Sequence, residues 1–429
     1  MLFSNFGLPL LITICLLSLA WGLAWFSEKI HWHTRLPHLP AWLANSPTEF
    51  STTLSVIASI MASVVAILYS TLFVVQTLAS SQFSPRLLRD FSRDIWLQIC
   101  AGCCLGTLAY CLFLLGLLDT RIAHIKNYAI LIGILLSIGT MFVLLYTIVH
   151  ASQMIQINNI VARIARETHR AIHARMPEFL PMGHASDLVP NPPTAPFPLQ
   201  TAVYLRKSGY FDVLDLPDLV NICQSHNIAI EVHVEIGEFT TPLVPFLTIH
   251  SHTPSPTRLQ RLILRSVYIE PAPTIELDPE YGFRLLADIA LKAISPAVND
   301  PSTAVSCLDY LEALLVIASQ RKAEQAFTLC SDGAWQIKYP PVTFQKLLSR
   351  ACRQLRHYGC GDYATIVRML RLLAEVGEAT HCPSIHQMLH QEADALYGLV
   401  RREAFAEHDL AEIDRRYAKV LRAVGVVGQ

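Results

Sequence analysis

The stretch FSTTLSVIASIMASVVAILYSTLFVVQTLASSQFSP, residues 50–85, decides how the chain is read, because it holds no charged residue and exceeds the ~20 residues that cross a bilayer as a helix. At 100° per residue, Thr52, Ser55, Ser59, Ser63, Ser70, Thr77 and Ser81 fall within an arc of roughly 80° that also holds Ala66. Ile57, Met61, Val64, Leu68, Leu72 and Val75 lie opposite. Hydrocarbon offers a hydroxyl no partner, so such a face must meet its own backbone carbonyls, a neighbouring helix or water. Each option implies a bundle. Two uses stand open for Ser55, Ser59, Ser63, Ser70, Thr77 and Ser81: close helix packing, and the lining of a hydrated path.

Working outward, four charge-poor apolar runs are visible, at about residues 6–26, 54–78, 96–118 and 127–149. The chain is 52% hydrophobic and 16% charged, with the charges thinning out before about residue 150. The expected fold is therefore a four-span membrane α-helical bundle over residues 1–150, followed by a cytoplasmic α+β domain with a helical C-terminal part. Ser18-Leu19-Ala20 would suit a signal-peptide cleavage site. However, no Lys or Arg precedes Lys29 and the apolar run continues through Trp21 and Trp25, so an uncleaved first span is expected.

Orientation follows from basic residues near the span ends. Arg86, Arg89, Arg93, Arg163, Arg166, Arg170 and Arg175 lie on one side, against Lys29, Arg35, Arg121 and Lys126 on the other. That balance puts both termini in the cytoplasm. Cysteine usage agrees: Cys223, Cys307, Cys330, Cys352, Cys360 and Cys382 lie in the polar half without disulfide-like clustering, and the two outer loops have none. A formal net charge of −1 speaks against a nucleic-acid partner, which would call for a basic stripe.

Between the second and third runs, residues 80–94 read as a helix end followed by a short amphipathic helix, with Ser84 as cap and Pro85 in the first turn. Arg86 and Arg89 are placed to reach lipid phosphates. Gly102-x-x-x-Gly106 and Gly133-x-x-x-Ser137 have the spacing that lets membrane helices approach closely. Residues 151–176 form a basic juxtamembrane helix whose Arg163, Arg166 and Arg170 suit anionic head groups or, around a symmetry axis, a positive vestibule. A Pro-rich linker follows at 177–200.

Residues 201–270 read as a small α/β module with strands at 201–205, 228–234 and 243–250 and a helix at 216–225. Residues 271–429 are mainly helical: 285–293, 303–319 with Asp300 as cap and Pro301 in the first turn, then 344–423 with breaks near 358–361 and 380–383.

Residues 80–94, Lys207-Ser208-Gly209-Tyr210, the run from Asp278 to Arg284, and Ala293-Ile294-Ser295-Pro296-Ala297-Val298-Asn299-Asp300-Pro301-Ser302-Thr303-Ala304 together resemble the bacterial predicted-membrane-protein family known as domain of unknown function 2254. The resemblance covers most of the chain in order. It implies an integral protein of the bacterial inner membrane and carries over no activity, substrate or catalytic residue. Over about 231–250 the chain is also similar to the hammerhead β-modules of biotinyl and lipoyl carriers. A second turn glycine and a hairpin-tip lysine are missing, so a structural module is expected rather than a carrier.

No phosphate loop, dinucleotide glycine pattern, nucleophile elbow or zinc-protease motif is present in the sequence, so no catalytic residue and no cofactor is assigned. Cys100-x-x-Cys103 with Cys104 sits in an apolar span beside Gly102 and reads as packing. Cys382, His386 and His390 have one-face helical spacing, but Pro383 displaces the thiol, so no metal site is assigned there. His31, His33 and His38 beside Trp32 read as an interfacial belt. Asp278, Glu280, Arg284, Asn299 and Asp300 are the candidates for binding a small cytoplasmic ligand, with helix caps and salt bridges as the competing use. The functional expectation is a homo-oligomeric pore or transport-type assembly in the lipid bilayer, regulated by its cytoplasmic domain; a membrane-anchored sensor or scaffold is the alternative, and a membrane-bound enzyme the third choice.

Overall fold

The computed structural model describes residues 2–29, 47–82, 94–116, 126–176, 197–322, 327–329 and 335–425. The chain divides into two compact units, Met1–Gln156 and Ile157–Gln429.

The first unit contains α1 (Leu2–Lys29), α2 (Pro47–Gln82), α3 (Ile95–Gly116) and α4 (Lys126–Ile155), which cover the four apolar runs. α3 is the hub, packing against each of the other three. Its small residues explain the approach to α1. A Cβ on Gly102 would lie 3.0 Å from Ile12 Cβ and from Pro9 Cα, and one on Gly106 would lie 2.6 Å from Leu16 Cδ1. Towards α4, the buried Thr107 and Thr140 hydroxyls share a hydrogen bond of 3.1 Å, and Tyr110 donates to the Ala129 carbonyl at 2.9 Å. Leu54, Ile57, Met61, Cys111, Leu114 and Ile130 fill the space between. Cys100 and Cys104 are buried beside Leu68, with Val64, Val65, Val143 and Leu144 against them, so these thiols fill an apolar contact.

The second unit runs α5 (Ile157–Arg175), β1 (Leu199–Tyr204), β2 (Gly209–Leu214), α6 (Leu216–His226), β3 (Ala229–Val232), β4 (Phe239–Thr240), β5 (Pro245–Ser251), α7 (Thr257–Ile263) with a 3-10 turn at Leu264–Ser266, β6 (Val267–Glu270), α8 (Pro279–Ala293), α9 (Pro301–Ser319), β7 (Phe327–Leu329), β8 (Trp335–Lys338), α10 (Phe344–Tyr358), α11 (Tyr363–Ala379), α12 (Pro383–Val400) and α13 (Glu407–Ala423). A five-stranded sheet has the order β1-β5-β3-β8-β7, antiparallel except between β3 and β8, and a three-stranded sheet has the order β4-β2-β6. Phe211, Leu219, Ile230, Phe246, Ile249, Ile263 and Ile337 are buried in one core, with Phe211 edge-on to Phe246.

The strands and helix read between residues 201 and 250 are all present. β2, β4, β6, β7 and β8 are additions. Ile337 of β8 lies beside Ile230 of β3, so a segment from the mainly helical part completes the sheet of the α/β module. Residue 270 thus separates stretches of sequence but not folded layers.

α5 shows what the basic helix is built for on its other side. Ile160, Val161, Ile164, Ala165, Thr168, Ala171 and Ile172 are buried, and the helix packs against α8 and α9. Gly282 makes that approach possible, because a Cβ there would sit 1.9 Å from the Thr168 hydroxyl oxygen. At the far end, the buried Arg321 guanidinium donates to the Met176 carbonyl at 2.7 Å.

Among the described residues, four helical segments are long and apolar enough to cross a membrane: Ser51–Thr71, Ile95–Gly116, Ala129–Gln153 and Pro301–Ser319, with Gly7–Leu23 a shorter apolar helix. The last of the four is α9, read from sequence only as a helix. It packs against α5, α8, α10 and α11, with Leu308, Leu311 and Leu315 fully buried.

Candidate functional site

On α2, Leu54, Ile57, Ala58, Met61 and Leu68 are buried, and the helix packs against α3 and α4. Thr52, Ser55, Ser59, Ser63, Ser70 and Thr77 are exposed on the other side. The hydroxyl face read from sequence is therefore turned away from the helices of its own chain. Its donors are cared for locally: Ser59, Ser63 and Thr77 donate to the carbonyls of Ser55, Ser59 and Phe73 at 2.8, 2.9 and 2.8 Å. Val56, Ile60, Ile67 and Val74 are exposed beside it. The Ser81 side chain, Arg86, Arg89 and the histidines of the first outer loop lie outside the described residues.

The block beginning at Asp278 resolves into two helix starts. Asp278 caps α8, accepting from the Tyr281 N–H at 3.1 Å. Its carboxyl also abuts Gly237, where φ is +84° and a Cβ would come within 1.9 Å of Asp278 Oδ2, so only glycine fits. Burial pushes the Asp278 carboxyl up to about 7, against the capping N–H that favours its charged form. Glu280 is raised as well, chiefly by burial, and accepts from Arg350 Nε at 3.2 Å. Nearby, Lys346 meets Glu235 at 2.9 Å, and Arg175 donates to the Leu277 carbonyl at 2.8 Å.

Asn299 and Asp300 stand at the other end of α8, roughly 20 Å along the helix axis. Asn299 adopts φ 50°, and Asp300 caps α9 by accepting from the Thr303 N–H at 3.1 Å and the Thr303 hydroxyl at 2.6 Å. Those bonds hold the Asp300 carboxyl below the usual range. Capping employs Asp300, and Asn299 supplies the left-handed turn before it, its N–H donating to the Ser295 carbonyl at 2.9 Å.

Arg284 faces a groove of about 730 Å³ formed with Arg350, Arg353, Arg356 and His357 of α10 and Leu399 of α12, and no acidic side chain lines it. Arg350 is tied to Glu280, and Arg356 to Glu392 at 3.0 Å, while Arg284 and Arg353 make no ion pair among the described residues. Sequence reading isolated Arg284 and missed its partners on α10. The available signal was the three-residue spacing of Arg350, Arg353 and Arg356, which puts them on one helical face.

The remaining candidates are scattered. Arg166 and Arg170 are exposed on α5, and Arg163 is half-buried. Cys382, His386 and His390 each turn to a different partner: Ser384 Oγ at 3.1 Å, the Thr380 carbonyl at 2.9 Å and Asp394 at 3.2 Å.

The family model for a predicted membrane protein, DUF2254, matches residues 4–375. The chain belongs to that family. Uncharacterized proteins of Mycobacterium bovis and of Mycobacterium tuberculosis H37Rv are each 26% identical to this DUF2254 protein over 375 residues, covering 86% of this chain and 71% of each relative. No solved structure matches it. The match embraces both units, the hydroxylated helix and the block from Asp278 to Ala304 alike.

Proposed function

We propose that this DUF2254 protein is an oligomeric pore or transport-type assembly of the bacterial inner membrane, with both termini in the cytoplasm, in which α2 of several copies surrounds a hydrated path. The observation that carries this reading is the placement of the hydroxyl face. One side of α2 is buried against α3 and α4, and the side bearing Ser55, Ser59, Ser63, Ser70 and Thr77 is left exposed by its own chain. A second copy related by an axis would cover it, and small side chains around that axis leave room for water. Arg163, Arg166 and Arg170, with Arg86 and Arg89, serve as contacts to lipid phosphates on the cytoplasmic side. The cytoplasmic unit is the regulatory part.

One observation favours a second reading. Because Ser59, Ser63 and Thr77 satisfy their donors within α2, the face can also pack dry against a partner, giving a membrane-anchored sensor or scaffold. Thiol accessibility separates the two. With Cys15, Cys100, Cys103, Cys104 and Cys111 replaced by alanine, cysteines at Ser59, Ser63 and Ser70 react with a membrane-impermeant thiol reagent in the pore, while those at Val64 and Leu68 stay protected. Equal inertness at all five positions under every ionic and pH condition replaces the pore with the scaffold.

A further inference from the structure

Every Lys and Arg between residues 197 and 270 lines one of two adjoining cavities in the second unit. These are Arg206, Lys207, Arg258, Arg261 and Arg265. The larger cavity, about 1100 Å³, is formed by the end of α6, the loop 251–256 and α7; the smaller, about 470 Å³, lies beside it and shares Arg261 and Arg265. No acidic side chain lines either one. None of the five cations makes an ion pair among the described residues.

The acidic residues of the same stretch are spent elsewhere in the fold. Asp212 accepts from Thr274, Asp215 caps α6, Asp218 accepts from Ser266, Glu231 pairs with Lys338 at 2.7 Å, Glu235 with Lys346 at 2.9 Å, and Glu238 accepts from the Glu235 N–H at 3.2 Å; Glu270, the seventh, lines neither cavity. The module is thus sorted by charge, its carboxylates bonded and its cations gathered and unpaired. Unpaired arginines around a concavity are a recognition pattern for phosphate, whose oxygens accept two parallel N–H bonds from one guanidinium.

The rest of the larger cavity fits an organic phosphate rather than a bare ion. Its volume exceeds that of an inorganic anion, and Ile228, Leu259 and Leu262 give it an apolar wall. His226 and His252 add ring nitrogens able to hydrogen-bond a phosphate oxygen.

We propose that this double cavity is a binding site for a phosphate-bearing anion with an organic body, held by Arg258, Arg261 and Arg265. The site does not depend on whether α2 lines water. Two sources supply the same chemistry, a soluble phosphorylated metabolite and the head group of an anionic lipid, and the test is built to tell them apart.

The full chain is reconstituted in phosphatidylcholine nanodiscs, and hydrogen–deuterium exchange is followed in peptides covering 251–266. In one arm inorganic pyrophosphate is titrated at constant ionic strength; in the other, phosphatidylglycerol replaces part of the lipid with no pyrophosphate present. Slowed exchange in the pyrophosphate arm supports the site and a soluble source, and slowed exchange in the lipid arm supports the site and a head-group source. The Arg261→Gln variant binds about tenfold more weakly, through loss of one charge-assisted contact. The triple variant Arg258→Gln, Arg261→Gln, Arg265→Gln loses the response altogether. These side chains are exposed, so the variant keeps its fold, which circular dichroism checks. Unchanged exchange in both arms, or a triple variant that responds like the parent, overturns the proposal.

Discussion

α2 and α9 both have the length and composition of a membrane span, and they end in opposite surroundings. α2 leaves Val56, Ile60 and Ile67 exposed and carries no charge between Ser51 and Thr71. α9 buries Leu308, Leu311 and Leu315 on four neighbouring helices and carries Asp309 and Glu312, both held by Arg368 of α11. An apolar run fixes that a helix is buried without saying in what. The charges decide: a carboxylate midway along a helix needs a dedicated cation, which a packed helical layer supplies and lipid does not.

The most complete way to break the comparison is topological. If α9 belongs to a globular core, reporter fusions after Arg175 and after Lys322 report the same compartment, the cytoplasm. Opposite compartments would make α9 a span. A periplasm-active fusion near Arg175 would overturn the orientation of the whole second unit.

Next in size is the ion cluster. Arg368 is nearly buried, bonds Glu312 at 2.6 Å and also bonds the half-exposed Asp309. Arg368→Met leaves Glu312 without its cation and lowers stability by about 3 kcal/mol. Thermal unfolding of the detergent-purified protein measures it. A change below about 0.5 kcal/mol, the size of an exposed pair, would place the cluster at a solvated surface.

A third prediction contrasts Glu312, which has a bonded cation, with Asp278, which has its capping bond from the Tyr281 N–H and, among the described residues, no ion pair. The folded-state value of Asp278 lies above the unfolded one, so the folded state binds the proton more tightly. Its contribution is present below about pH 4 and is lost as pH rises to about 7, at up to roughly 1.4 kcal/mol per pH unit. Asp278→Asn keeps the cap and removes the titration. The variant therefore gains on the parent as pH rises from 4 to 7, and parallel unfolding profiles would show that the carboxyl is solvated.

These contrasts also show how much was legible in the sequence. The four runs, the small-residue contact at Gly102 and Gly106, the cap at Asp300, and the breaks near 359 and 381 were readable because each has a local cause: length, size, a side-chain oxygen, a glycine or proline; the helix read at 285–293 in fact starts at Pro279, capped by Asp278. The break between Val400 and Glu407 carries no glycine or proline and gave no signal. β8 was hidden because its partner β3 lies about a hundred residues earlier, and a parallel pairing leaves no turn in the sequence. The grouping of the ligand candidates shows a related effect. Proximity along the chain joined Arg284 to Asp300, whereas folding joined it to Arg350 and Arg353.

The smallest expected effect concerns hydroxyls inside the membrane unit itself. Ser63 bonds only the carbonyl one turn before it, on an exposed face, while Thr107 reaches across to Thr140 at a buried contact between α3 and α4. Ser63→Ala removes a bond the backbone makes within its own turn and adds a better helix former, so stability changes by less than about 0.5 kcal/mol. Thr107→Val keeps the shape and deletes an interhelical bond; Thr140 retains its own bond to the Leu136 carbonyl, so no donor is stranded and the cost is roughly 0.6 to 1 kcal/mol. Unfolding of the two variants in the same detergent tests the order. If Ser63→Ala costs the more, and a parent that light scattering shows to be an oligomer falls in mass with it, the α2 face is a dry contact between copies, and the hydrated path gives way to the scaffold.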